Sequence, residues 1–439
     1  MRDLVLGCML LWIVLQAFRH PWIGVLGWTW VSIMNPHQLS WRLNSMPVAA
    51  AIAGSTLLGM MIAKDRKDFS MPRENVVLIL FMVWMCITLP FSMYFDDSYE
   101  LWKRVMKIDL MVLVTMVLLH SKRHLMLFIW INVLSIAFYG VKGGLFTILT
   151  GGSYRVWGPT GTYIEGNNEV ALAIVMSIPL MRFLQLQMKA RWARHVMTAC
   201  MVLMAAAALG SHSRGALLAI SAMALVMWWR GQNKLLTALG MLVVGGALLS
   251  MMPEQWWARM NTIETYQEDS SAMGRINAWW MAFNLAKDNF FGGGFMVYEA
   301  AVFARYAPDP TDVHAAHSIY FMVLGEQGFI GLFLFLLLFC LAFGKAGQLR
   351  TPWGRVPETK WLSELGSMLQ VSFAGYAVGG TFLSLSYWDL PYNMMIMAVV
   401  AHRWMLSKAW LKEPVEPLIV LPAFVRGWFK RRSGVAVRP

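Results

Sequence analysis

Residues 318–343, SIYFMVLGEQGFIGLFLFLLLFCLAF, decide the fold class, because Glu326 is the only charged side chain in a run of 26 residues. An apolar stretch of about 20 residues is long enough to cross a bilayer as one helix. Similar runs recur on both sides of it, and of the 439 residues 58% are hydrophobic and only 14% charged. This pattern excludes a soluble globular protein. It predicts an all-α polytopic membrane protein that forms a single membrane domain over residues 1–439.

The apolar runs predict about twelve membrane helices. Residues 4–34 contain Arg19, His20 and Pro21, so this region is either one long kinked span or a tight hairpin. We interpret its first part as a membrane segment and not as a signal that is removed, because no small-residue cleavage site follows it. The other predicted spans are 47–63, 75–95, 108–120, 125–149, 170–183, 196–209, 216–229, 235–251, 318–343, 366–385 and 393–405.

Basic residues in the connections predict the orientation, because Lys and Arg in short loops stay in the cytoplasm. Alternate connections and the tail carry 24 basic residues on one side, against 11 on the other. The poorer side includes residues 252–317, which are predicted to form one long periplasmic loop with amphipathic helices. Residues 408–439 are predicted to be a basic cytoplasmic tail that binds an anionic membrane surface. The net charge of +13 therefore reflects topology and does not indicate nucleic-acid binding.

Three basic residues on the predicted outer side are candidates for chemistry. Arg214 lies in a short corner between two apolar runs, and Arg275 opens an amphipathic stretch that ends at glycines 292–294. His317 precedes the span 318–343, where a helix would place it on one face with Tyr320. The alternatives are a snorkelling interfacial arginine for Arg214, a solvated loop charge for Arg275 and a helix-capping histidine for His317.

Carboxylates suggest two further possibilities. Glu326 lies within a predicted span, nine residues after His317, and a helix would place it about 180° around the axis from that residue. It would serve proton coupling only with a relay that the sequence does not show. Asp96 with Asp97, and Asp309 with Asp312, would suit a metal-assisted mechanism, although neither pair has a ligand spacing that defines a site. We favour a solvated-loop interpretation for both pairs, and no metal, nucleotide or other cofactor is predicted.

Taken in order, three segments resemble the O-antigen ligase family. They are the corner Ser213-Arg214-Gly215, the segment from Gly274-Arg275 to Gly292–Gly294, and His317-Ser318-Ile319-Tyr320 running into residues 325–331. The chain departs from the family pattern at Ser318, where Asn is common, and at Phe290, where Pro is common. Residues 28–37 and 139–144 are similar to the branch called exosortase-associated O-glycosylation ligases, so the resemblance spans nearly the whole chain.

The resemblance implies transfer of a finished glycan from undecaprenyl diphosphate to a lipid A-core sugar or another glycan acceptor, at the outer face of the bacterial inner membrane. It implies that Arg214 and Arg275 hold the diphosphate and that His317 is the general base, roles that suit a guanidinium and a near-neutral imidazole. An apolar groove between helices would hold the polyprenyl chain. Further sugar or phosphate contacts are predicted for Arg155, Asn167, Asn168, Tyr320 and His314.

Other functions remain open at this point. The chain could be a glycan polymerase of the same superfamily or could transfer glycan to a protein hydroxyl. It could also transport a lipid-linked glycan, but a transporter is expected to have related halves and interrupted helices. We find neither in the sequence, and the long one-sided loop favours an enzyme.

Overall fold

A computed structural model describes residues 2–44, 46–230, 233–261, 270–350 and 357–413, and every regular element in these ranges is helical. The α-helices are α1 (Arg2–Arg19), α2 (Pro21–Met34), α3 (Val48–Ile62), α4 (Arg73–Thr88), α5 (Phe95–Leu118), α6 (Lys122–Leu149), α7 (Asn167–Leu186), α8 (Arg191–Gly210), α9 (Arg214–Arg230), α10 (Lys234–Ser250), α11 (Glu254–Asn261), α12 (Ser270–Asp288), α13 (Ala300–Tyr306), α14 (Ile319–Gln348), α15 (Lys360–Gly379) and α16 (Asp389–Leu406).

Five helical stretches are long and apolar enough to cross a membrane. They are α4 with its extension to Phe91, α6, α7, α8 and α14, and a sixth arises if α10 and α11, bent by 113°, form one broken span. The described residues also contain a helix at each of the other predicted spans, but α3 and α9 are shorter than a bilayer requires. The count of about twelve membrane helices therefore remains a prediction, while a multi-pass membrane protein is supported.

The N-terminal apolar region is a hairpin of two helices. Pro21 begins α2, where its missing N–H costs no hydrogen bond. The two helices pack antiparallel: a Cβ on Gly27 would lie 2.4 Å from the Cγ2 of Ile13, and one on Gly24 would lie 2.9 Å from the Cβ of Ala17. The structure thus selects the hairpin from the two arrangements that the sequence allowed.

Connections predicted to share a side of the membrane contact one another. On the predicted cytoplasmic side, Gln187 donates to the Glu364 carboxylate at 2.7 Å, and the Arg403 guanidinium lies 3.3 Å from Asp68. On the other side, His212 donates to the carbonyl of Gly152 at 2.8 Å. Which compartment each side faces remains a prediction, and residues 414–439 of the predicted basic tail lie outside the described ranges.

The longest helix, α14, is interrupted at Gly328, contrary to the expectation of uninterrupted helices. Gly328 has φ 65° and ψ −172°, a conformation open essentially to glycine alone. The break frees the carbonyls of residues 325–327 from their helical partners. Gly293 N–H, Gly294 N–H and the Trp84 indole donate to these three carbonyls in turn, at 2.8, 3.0 and 2.8 Å. The interruption depends on these donors from distant segments, which the sequence of α14 alone does not reveal.

Candidate functional site

The segment that leads to His317 is fixed along α12. The Asn277 amide donates to the carbonyls of Asp309 and Asp312 at 2.8 and 2.9 Å, and its oxygen accepts from the Asp309 N–H at 2.9 Å. Half a turn further along α12, the Trp279 indole donates to the carbonyl of Ala316 at 2.8 Å. The backbone immediately before His317 is therefore attached to a helix at several points.

His317 has φ 42°, in the left-handed region that is uncommon for residues other than glycine. The next residue, Ser318, is fully buried at the start of α14. The Nδ1 of His317 is buried without a hydrogen-bond partner among the described residues. Backbone conformation and packing, and not a hydrogen bond to Nδ1, therefore orient this imidazole.

Electrostatics keep His317 neutral. Burial, followed by the positive charge of Arg275 and by His314, lowers the pKa of His317 to about 4. Its imidazole is therefore unprotonated at pH 7 and available to accept a proton. The Arg275 contribution also shows that these two predicted residues lie close enough for their charges to interact.

Glu169 completes this cluster. It lies in the first turn of α7, where its side chain is only partly exposed, and it interacts electrostatically with Arg275. On the neighbouring turn of α12, Gly274 leaves room for the His314 ring, because a Cβ there would lie 2.3 Å from Cδ2. Sequence analysis overlooked Glu169, although it directly follows Asn167 and Asn168 at the end of a connection predicted to face outward.

Arg214, at the start of α9, is brought toward the same region by a short 3-10 helix, Gly380–Phe382. A Cβ on the next residue, Gly215, would lie 3.2 Å from the Cβ of Phe382. The Phe382 ring in turn lies 6.5 Å from the ring of Trp279 on α12. Arg214 therefore begins its helix close to the aromatic side chains that support the His317 segment.

The same short helix contacts the beginning of α14. A Cβ on Gly380 would lie 2.5 Å from the Cδ1 of Ile319, which is two residues after His317. Arg214 and His317 thus lie next to opposite ends of one three-residue element. The structure brings together the surroundings of all three predicted catalytic residues, although they are far apart in the sequence.

The corner before Arg214 binds two other connections. Asn167 donates to the carbonyl of Ser211 at 2.8 Å, and Arg259 donates to the carbonyl of His212 at 2.9 Å. Burial and the charges of Arg155 and Arg259 lower the pKa of His212, while its hydrogen bond to a backbone carbonyl opposes them. Arg155 therefore lies near this corner, and the amide of Asn167 supports the corner.

Two of the remaining predicted contact residues, Tyr320 and His314, have partners within the protein. The Tyr320 hydroxyl donates to the carbonyl of Ala377 on α15 at 2.8 Å, and His314 lies 2.8 Å from the Asp312 carboxylate. Asn168 is half-buried at the start of α7. Contacts of Arg155, Asn167, Asn168, Tyr320 and His314 with a substrate remain predictions.

Two of the carboxylates considered for a metal or a proton relay, Asp309 and Glu326, have local partners. Asp309 accepts from the N–H and hydroxyl of Thr311 at 2.9 and 2.7 Å. Glu326 is buried beside the break in α14 and accepts from the Tyr387 hydroxyl at 2.8 Å. These contacts tie the two side chains to the folded loop and to the segment before α16.

An apolar groove begins one residue beyond Arg275. It has a volume of about 310 Å³, and its walls are the side chains of Ile276, Trp279, Trp280, Phe283 and Phe321. The rings of Trp279 and Phe321 stack with centroids 5.0 Å apart, which joins α12 to α14 along the groove. Since the Trp279 indole also donates to the carbonyl of Ala316, this apolar groove adjoins the segment that carries His317.

Comparison with known families agrees with this geometry. Residues 199–336, which include Arg214, Arg275, His317 and the break at Gly328, match the family described as O-Antigen ligase. Residues 1–189 match a family of unknown function (DUF5935). No curated protein matches the chain.

The apolar helices and the family match together support a multi-pass membrane protein with a function of the ligase and polymerase superfamily. Residues 199–336 carry the O-antigen ligase domain, which implies a glycosyltransferase-like ligase with a lipid-linked glycan donor and a glycan acceptor. The predicted resemblance to this family is confirmed. The narrower assignment to the exosortase-associated branch remains a prediction.

Proposed function

We propose that this protein is an O-antigen ligase, which transfers a glycan from undecaprenyl diphosphate to a lipid A-core sugar at the periplasmic face of the inner membrane. The observation that carries the proposal is the neutral His317 imidazole, within electrostatic reach of Arg275, on a segment that adjoins an apolar groove. An enzyme that moves sugars off a lipid diphosphate needs these three features next to one another: a base, an anion-binding cation and a surface for the lipid.

The donor lies with its first isoprene units in the groove and its diphosphate at Arg275 and Arg214. A guanidinium binds phosphate oxygens through two parallel N–H donors and keeps its charge at any physiological pH. The aromatic walls of the groove contact the apolar isoprene units of the donor. In these contacts the walls take the place of water or of bilayer lipid. Glu169, in the first turn of α7, lies within electrostatic reach of Arg275.

The reaction is a substitution at the anomeric carbon of the donor sugar. The acceptor hydroxyl oxygen forms the new bond, the bond from the anomeric carbon to the diphosphate oxygen breaks, and His317 takes the hydroxyl proton. Undecaprenyl diphosphate leaves with the electron pair and gains negative charge, which the arginines stabilise. Since arginines supply this positive charge, the proposal requires neither a metal ion nor ATP.

Donor binding should also adjust the base. Part of the depression of the His317 pKa comes from Arg275, so a diphosphate that neutralises this charge raises the pKa toward the range of an ordinary histidine. A general base works best when its pKa lies near the working pH. The imidazole would therefore become a stronger base only when the donor is in place.

The test is product analysis with purified protein, undecaprenyl-diphosphate-linked glycan and lipid A-core, in chelator and without ATP. We expect lipid A-core that carries the glycan. Elongated lipid-linked glycan without modified core would indicate a polymerase, and no product with any glycan acceptor would refute the proposal. Reaction that requires an added divalent ion would refute the role of the arginines as the only diphosphate clamp.

A further inference from the structure

A second cleft, outside the His317 cluster, is lined by the N-terminal part of the chain and the beginning of α16. Its volume is about 280 Å³, and it is enclosed by the end of α2, the middle of α5, the α6–α7 connection at residues 161–164, and Trp388 with Asp389. Most of this lining belongs to residues 1–189, the part of the chain whose family has no known function. The roles assigned to the ligase residues do not explain this cleft.

The cleft combines cations with aromatic rings. Arg104 and Lys107, one turn apart on α5, are both exposed at the cleft, and neither pairs with a carboxylate among the described residues. The guanidinium of Arg104 lies 5.7 Å from the centre of the Tyr163 ring. Trp28 and Trp388 also line the cleft, but both are themselves buried, so Tyr163 is the ring beside the exposed cations. Two exposed cations next to an aromatic ring suit a ligand that carries negative charge on a sugar framework.

Other polar groups, one of them the carboxylate of Asp389, complete the lining. Ser32 donates to the Asp389 carboxylate at 2.7 Å, which ties α2 to α16 across the cleft. The Nδ1 of His37 is buried without a hydrogen-bond partner in the described part of the chain. Burial lowers the pKa of His37, so its imidazole is neutral at pH 7 and can hydrogen-bond to a hydroxyl. Such neutral groups recognise sugar hydroxyls.

The cleft is connected to the His317 cluster through one short segment. Ser386 donates to the carbonyl of Ile319 at 3.1 Å, and Asp389 in the cleft is only three residues further along. Since Ile319 is two residues from His317, the chain path limits the separation of Asp389 and His317 to roughly 25 Å. An oligosaccharide of a few sugars spans such a distance.

We infer that this cleft binds a phosphate- or carboxylate-bearing region of the acceptor oligosaccharide, while its reacting hydroxyl lies at His317. The inference rests on the proposed function for the identity of the acceptor. The donor glycan is the other source of the same chemistry. We assign the acceptor because the proposed donor site, with its diphosphate at Arg275 and its lipid in the groove on α12, is lined by other residues than this cleft.

The experiment measures binding of phosphorylated core oligosaccharide, and of the same oligosaccharide after removal of phosphate, to the full chain in detergent micelles. The variants are Arg104→Gln and Lys107→Gln. The matched control is Lys103→Gln, which removes a charge from the same helix at a residue that pairs with Glu100 at 2.6 Å and does not line the cleft. Melting temperatures check that all three variants fold.

We expect each cleft variant to weaken binding of the phosphorylated probe by about tenfold, the lower end for loss of a charged hydrogen bond, because both side chains are exposed. Binding of the dephosphorylated probe should change little, and so should every measurement on Lys103→Gln. In the transfer reaction, KM for the acceptor should rise while KM for the donor stays constant.

Unchanged binding of the phosphorylated probe in folded cleft variants would overturn the inference, and a rise in donor KM alone would assign the cleft to the donor glycan instead. Failure of the proposed function would give a different result from failure of this inference. In that case the wild-type protein transfers no glycan, yet the binding measurement still shows whether Arg104 and Lys107 recognise a charged oligosaccharide.

Discussion

Replacement of His317 by alanine tests the central assignment of the site. The substitution removes the imidazole and leaves Arg214 and Arg275 in place. We expect transfer to fall by ~10²- to 10⁴-fold, the usual contribution of a positioned general base. Binding of the lipid diphosphate should persist, because the cations and the groove that hold it are intact.

The pH dependence of transfer tests the predicted pKa of His317 independently. A base must be neutral to act, and His317 with a pKa of about 4 stays neutral well below pH 6. Because kcat/KM reports the pKa values of the free enzyme, it should remain nearly level from pH 7 to pH 5 and decline around pH 4. For a histidine with the ordinary pKa of about 6.5, kcat/KM would instead fall about 25-fold between pH 7 and pH 5. Arg275→Gln removes a charge that lowers the pKa, so its acid limb should move to higher pH.

The assay is initial-rate formation of glycosylated lipid A-core between about pH 3.5 and pH 8, a range that brackets the His317 pKa of about 4, with donor binding measured separately on the same preparations. Monodispersity in detergent shows which samples remain folded at each pH. Near wild-type transfer by folded His317→Ala protein would refute the mechanism and favour a helix-capping role for this residue. A wild-type acid limb centred near pH 6.5 would refute the argument from burial and Arg275.

Three further predictions concern other parts of the structure. Arg214→Lys keeps the positive charge but loses the planar guanidinium that binds a phosphate through two N–H groups, so the rate of transfer should fall at least tenfold. The matched change Arg305→Lys on α13 should have little effect on that rate, and the measured rates of the two variants test the prediction. Gly328→Ala should destabilise the protein by about 1–3 kcal/mol, because φ is 65° and the new Cβ would lie 2.5 Å from a carbonyl oxygen. Gly344→Ala, on the same helix but in open space, should leave the unfolding midpoint unchanged or raise it. Finally, a membrane-impermeant thiol reagent applied to cells with a permeabilised outer membrane should label a cysteine that replaces Arg305 and not one that replaces Lys345, on a cysteine-free background; the reverse pattern would invert the topology.

The helical class of the protein follows from its sequence for a simple reason. A backbone in lipid must satisfy its polar groups internally, so long apolar runs form helices whatever packs around them. The runs at 125–149 and 170–183, for example, lie within α6 and α7. The number of helices that cross the membrane is harder to predict, because short or charged helices such as α9 and α5 do not reveal their position in the bilayer.

Some of the candidate residues, but not all of them, could be selected from the sequence. Arg214, Arg275 and His317 are each basic, border apolar runs and match a family pattern, and residues 199–336 confirm the family. Glu169 was missed because nothing in a single sequence shows that the first turn of α7 meets an arginine more than 100 residues later. Its position next to two asparagines in an outer connection was the only available signal.

Sequence by itself determined that apolar helices alternate with basic connections, because the spacing of apolar and charged side chains is a local property of the chain. Only the tertiary structure decided that α14 breaks at Gly328, that residues 1–34 form a hairpin and that Arg275 lies beside His317. Each of these features depends on a partner from a different segment of the chain. The break in α14 depends on the N–H donors of Gly293 and Gly294, and the hairpin depends on close packing against glycines. The site depends on the hydrogen bonds that attach residues 309–316 to α12. Such partners are chosen by packing and hydrogen bonding in three dimensions, which local patterns do not encode.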